Sequence, residues 1–65
     1  MTLWIAVPDD TFLQVTGCRE YVELIHWRNW QMLINEEDLT PFRAVQMAAE
    51  MLAQAGQGAV EVWDL

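Results

Sequence analysis

The hydrophobic positions change period near the middle of the chain. Residues 3–7 form a short apolar run with two β-branched members, Ile5 and Val7, and Pro8-Asp9-Asp10 after it favours a turn. In residues 11–16, Leu13 and Val15 alternate with Phe12 and Gln14, which puts the two pairs on opposite faces of a strand. Gly17 ends that run. Two strands follow, over about residues 2–7 and 11–16.

Residues 19–35 contain neither Gly nor Pro, so a helix is sterically open to them. On a helical wheel, however, Tyr21, Val22, Leu24, Ile25, Trp27, Trp30, Met32, Leu33 and Ile34 surround the whole circumference. A small protein cannot bury every side of one helix. Tyr, Val, Ile and Trp instead favour strands. The pattern predicts strands over about 20–27 and 30–35, joined at Arg28-Asn29, where Asn tolerates a left-handed turn. Trp27 and Trp30 then face each other across the turn. The competing architecture has two helices, over 19–35 and 41–55.

From residue 40 onward the period is helical. Thr40 is a good N-cap and Pro41 suits the first helical position. Arg43 stands where a capping box prefers Glu or Gln. Glu36, Glu37 and Asp38 lie just ahead, where they complement the helix dipole. The helix is expected over about 41–55, with Gly56 at its C-terminus. Phe42, Val45, Ala48, Ala49, Leu52 and Ala55 share one face, and Arg43, Gln46, Glu50 and Gln54 the other. Met47 and Met51 fall on the boundary. Val60 and Val62 alternate with Glu61 and Trp63 in a last strand, over about 59–64. The fold class is α+β: one domain, 1–65, with a small antiparallel sheet of about four or five strands and one helix packed across it.

Size and charge narrow the functions. A chain of 65 residues buries only about 60% of its unfolded surface, so its core is marginal. Cys18 has no second cysteine to pair with. Together with the single histidine, His26, it cannot make a four-ligand zinc site. Support from a partner protein or a second copy is the remaining route, so a homodimer is one expectation. Ten Asp and Glu against three Arg, with no Lys, give a net charge of −7. That charge opposes nucleic acid and anionic membrane, and favours a basic surface on another protein. No apolar run approaches the ~20 residues of a membrane span, and the N-terminus lacks a basic signal-peptide region. The lone thiol fits a reducing compartment, and the expected location is the cytoplasm.

Few residues offer chemistry. Glu23 and His26 share one face of a helix but lie on opposite faces of a strand, so the strand reading removes them as joint metal ligands. Arg19 beside Cys18 favours its thiolate, but with the single histidine, His26, eight residues away and no second cysteine, nothing in the sequence supports a nucleophile. Asp9-Asp10 and Glu36–Asp38 lack the alternating spacing of a calcium loop. Phosphate-loop, dinucleotide and nucleophile-elbow patterns are absent. No catalytic, metal or cofactor residue is predicted, and the chain reads as non-enzymatic.

Four tryptophans, Trp4, Trp27, Trp30 and Trp63, exceed what so small a core readily hides. Interface candidates are Trp27, Trp30, Trp63, Met47 and Met51, flanked by the acidic Glu36, Glu37 and Asp38. The segment Leu39-Thr40-Pro41, with Ala44, Met47-Ala48 and Met51-Leu52, resembles a strand-to-helix unit of small uncharacterised proteins of bacteria and their phages. The resemblance implies a phage or mobile-element origin, and with it the cytoplasm of a bacterial or phage-infected cell, and carries over no catalytic residue. The leading expectation is a small acidic protein-binding module that inhibits or regulates a host protein. The alternatives are a self-associating accessory or structural protein and an acidic nucleic-acid mimic.

Overall fold

The computed structural model describes residues 2–56 and, as backbone alone, residues 61–64. Five strands and one helix follow in chain order: β1 (Thr2–Ala6), β2 (Phe12–Gly17), β3 (Val22–Arg28), β4 (Gln31–Leu39), α1 (Pro41–Gln54) and β5 (Glu61–Asp64). The strands form one sheet in the order β4-β3-β2-β1-β5, every neighbouring pair antiparallel. The helix lies across one face of that sheet, against β3 and β4. This is the α+β architecture that the period change predicts.

Residues 19–35 are a hairpin and not a helix. Its turn, however, lies one residue later than Arg28-Asn29. Arg28 pairs with Gln31, and Asn29 and Trp30 form the two-residue connection, with φ of 50° and 63°. Positive φ at both central residues gives a tight turn whose twist matches that of the strands. The shift has a consequence: Trp27 pairs with Met32, and Trp30 occupies the turn itself instead of facing Trp27.

β4 continues past residue 35 and takes in Glu36, Glu37 and Asp38, so these acids are not the helix-dipole partners that the sequence suggests. The first turn of α1 holds no acidic residue. The strand extends because β3 still offers partners: Leu24 pairs with Glu36, and Val22 with Leu39. Three steps along β4 against two along β3 leave a bulge, absorbed where Asp38 takes φ 57°. A second irregularity leaves Leu33 between the pairs His26–Ile34 and Trp27–Met32.

The helix starts as its sequence requires. Thr40 stays extended and its Oγ1 accepts a hydrogen bond from the Arg43 N–H at 3.2 Å, with Pro41 opening the first turn. Its buried face differs from the expected one. Ala44 and Ala48 are buried, and Met47, Met51, Leu52 and Ala55 pack against the core, whereas Phe42 is 79% exposed and Val45 69%. The i, i+3, i+4, i+7 series beginning at Ala44 wins because two alanines let the backbone approach the sheet while the flexible methionines fill the remaining gaps. The core itself joins Ile5, Val7, Leu13, Leu24 and Ala48.

Candidate interaction surface

Strand register assigns the side chains to two faces. Leu3, Ile5, Leu13, Val15, Leu24 and His26 lie on the helix side, and Trp4, Phe12, Gln14, Ile25, Trp27 and Met32 on the other. No helix covers the second face among the described residues, yet Ile25 is only 7% exposed there. Bulky neighbours supply the cover. Trp4 and Trp27 are both half-buried, and the Trp27 indole N–H donates to the Gln14 side-chain Oε1 at 3.0 Å. The hydrogen bond fixes the ring across the sheet, so Trp27, expected as an interface residue, is part of the sheet's own cover. Trp63 stands opposite Trp4 in the β1–β5 register, and its side chain lies outside the described residues.

The strongest polar cluster ties the first turn to β3. Thr11, 1% exposed, donates through its backbone N–H to Asp9 Oδ1 at 3.1 Å, and its hydroxyl donates to the same oxygen. The hydroxyl lone pair is then left to accept from His26 Nε2 at 2.8 Å, which places the imidazole proton on Nε2. An Asp–Thr–His chain invites a nucleophile reading, but burial closes Thr11 to any substrate. Its work is structural: it anchors the turn after β1 to the third strand.

The hydrogen bond from the Thr11 hydroxyl holds the Asp9 carboxyl below its usual value; slight burial opposes this, and the Thr11 N–H, His26 and Arg28 assist it. A folded value below the unfolded one means that the carboxylate contributes stability above the unfolded pKa. That contribution is lost as pH falls through the folded value. Asp9→Asn is therefore expected to lower the urea midpoint at pH 7 and to shrink the further loss on acidification below about pH 4. Equal acid sensitivity in the two proteins would show that Asp9 does not contribute it.

The other chemical candidates lie apart. Glu23 falls on the open face and His26 on the helix side, so they do not meet. Among the described residues no three His, Cys, Asp or Glu gather as a metal site. Cys18 is exposed, and hydrogen bonds from the backbone of Tyr21 and then Glu20 lower its thiol pKa. It borders an open hollow of about 370 Å³ whose rim includes Tyr21, Glu23, Glu37 and Asp38. Those carboxylates make the hollow a cation-attracting surface. No helix among the described residues is long and apolar enough to cross a membrane.

Among the described residues, exposed large apolar side chains fall mainly on the β4 hairpin and, as Phe42 and Val45, on the outer face of α1. β4 forms one edge of the sheet, and every residue from Gln31 to Asp38 is exposed. Met32, Leu33 and Ile34 are exposed by 49%, 48% and 44%, and Trp30 at the hairpin tip by 88%.

The comparisons with known proteins find no match. No family model, no curated protein and no solved structure resembles the chain. The surface must therefore be read from its own chemistry.

Of the expected interface residues, Trp30 lies at the hairpin tip and Glu36, Glu37 and Asp38 at the far end of the exposed strand β4. Met47 and Met51 pack under the helix instead. Sequence reasoning missed Met32, Leu33 and Ile34 as surface, together with Phe42 and Val45. One signal was present: 19–35 and the helix both carry more apolar positions than a single buried face can take.

Proposed function

We propose that this chain is a non-enzymatic protein-binding module that docks its partner along β4. One observation carries the reading: an edge strand with apolar side chains at its centre, an exposed indole at one end and three acids at the other. An edge strand offers unpaired backbone donors and acceptors; proteins that avoid docking blunt such edges with charges, Pro, bulges or a covering segment, and in β4 the charges Glu36 to Asp38 gather at one end, leaving only the irregularity at Leu33 within the apolar stretch. β4 has no Lys or Pro. Strand addition supplies backbone hydrogen bonds, while Trp30 and Met32 to Ile34 provide the buried area and Glu36 to Asp38 select for cationic surface. A small inhibitor or regulator works in this way: it needs a surface and no catalytic group.

The test is co-purification from the cells that encode the chain. Wild type is compared with Leu33→Lys, which places a charge at the centre of the edge without touching the core. The expected result is a specific partner, or a second copy of the chain, held by wild type and lost at least tenfold with the variant. Equal retention by both proteins would contradict the reading.

A further inference from the structure

We infer that the occupant of the β4 edge is a second copy of this chain, paired antiparallel about a two-fold axis between Leu33 and Ile34. The inference rests on the docking reading above and names its partner.

The argument is the polarity of the hairpin. Arg28 ends β3 and pairs with Gln31 at the start of β4, while Glu36, Glu37 and Asp38 occupy the other end of β4. Parallel pairing of two copies would stack acids on acids. Antiparallel pairing brings the Arg28 end of each copy to the acidic end of the other, so the edge is complementary to itself. An isologous two-fold interface requires that property.

The proposed axis also respects the faces of the sheet: Met32 pairs with Trp27 on the open face and Ile34 with His26 on the helix side, so the irregularity at Leu33 breaks the alternation and lets Leu33 and Ile34 share a face. The axis sets Leu33 of each copy against Ile34 of the other, Met32 against Asn35, and Gln31 against Glu36. Met32 and Asn35 both lie on the open face, since their β3 partners Trp27 and Ile25 do. Arg28 and Glu36 both lie on the helix side, in register with Gln31 and Leu24 respectively. Arg28 of one copy then stands two strand spacings, about 10 Å, from Glu36 of the other, within the joint reach of the two side chains. The apolar centre is Met32, Leu33 and Ile34 from each copy, six exposed side chains withdrawn from water together. The result is one continuous ten-stranded sheet whose two β4 edges have disappeared. A 65-residue chain with a marginal core gains most from such an extension.

Sedimentation equilibrium from about 1 μM to 500 μM, at physiological salt where the remaining acids are screened beyond about 8 Å, tests the inference. Wild type is expected to reach twice 7.6 kDa. Leu33→Lys is expected to weaken association at least tenfold. Arg28→Glu weakens it as well, and Arg28→Glu combined with Glu36→Arg restores it, because the swap preserves both the net charge and the complementarity. Far-UV circular dichroism confirms that each variant is folded. A wild-type chain that stays monomeric throughout overturns the inference, and if Leu33→Lys then still abolishes capture of a different protein, the docking reading survives alone. A dimer indifferent to Leu33→Lys places the contact elsewhere and overturns the inference. A dimer lost with Arg28→Glu but not recovered in the double variant removes the proposed register.

Discussion

Leu13→Ala is expected to bring the whole chain to the edge of unfolding at 25 °C. Leu13 is fully buried, at 0% exposure, at the centre of the cluster that joins β1, β2, β3 and the helix. Truncating a buried Leu costs about 2–5 kcal/mol, the lost transfer energy plus the cavity left behind. A domain of this length has roughly 3–10 kcal/mol in total, at about 0.05–0.15 kcal/mol per residue. The cost is therefore a large part of the whole. Urea titration followed by far-UV circular dichroism would show the midpoint fall by about half or the transition vanish. Val45→Ala is the control, because Val45 is 69% exposed and such surface changes stay within about 0.5 kcal/mol. Equal midpoints for Leu13→Ala and wild type would mean that the core is not centred where the cluster puts it.

Gly17→Ala is expected to be the next most damaging change, although Gly17 is exposed and adds only one methyl group. Its φ is 147°, a conformation that residues with a side chain rarely adopt. A Cβ built there would meet the Tyr21 carbonyl oxygen at 2.7 Å and the Val22 Cα at 2.9 Å. Both neighbours are backbone, so relief requires the connection between β2 and β3 to move. Overpacking with backbone displacement costs about 1–3 kcal/mol. Gly56→Ala separates the two causes. Gly56 also has a positive φ, 98°, but nothing lies within 4 Å of its missing Cβ. It carries the strain without the clash, so its urea midpoint should fall less than that of Gly17→Ala. The reverse order would show that the β2–β3 connection yields easily.

Much of the fold is legible in the sequence, and the failures share a physical cause. Alternation of Leu13 and Val15 with Phe12 and Gln14 gives β2 its two faces directly. Thr40-Pro41 marks the helix start because both capping effects are local. The turn at Asn29-Trp30 is harder to read, since a bulky aromatic at φ 63° follows from no local preference and is imposed by the strand pairing around it. β4 is also longer than its composition suggests. Three consecutive acids have low strand propensity, but β3 anchors the strand on either side of them, Leu24 pairing with Glu36 and Val22 with Leu39. The helix has two apolar faces, and only contact with the sheet decides that the Ala44–Ala48 face is buried and the Phe42–Val45 face is not.

The same cause governs the candidate site. Trp30 and the acids can be singled out from residue type alone. The edge itself cannot, because whether a strand lies at the margin of a sheet depends on strand order, a property of the whole chain. Met32, Leu33 and Ile34 are apolar strand residues whose exposure shows only once β4 is placed outermost. Met47 and Met51 read as surface until the helix is turned onto its alanines.

The central claim is that another polypeptide pairs with β4. Residue-resolved amide hydrogen exchange tests it most directly, measured on the dilute chain and again on the associated species, whether self-associated or held by a partner. The account predicts that the outward-pointing amides of Gln31 to Glu36 exchange quickly in the dilute chain and become protected on association, while those of β1 and β2 change little. Protection that appears on the open face or the helix and leaves β4 unchanged would contradict it.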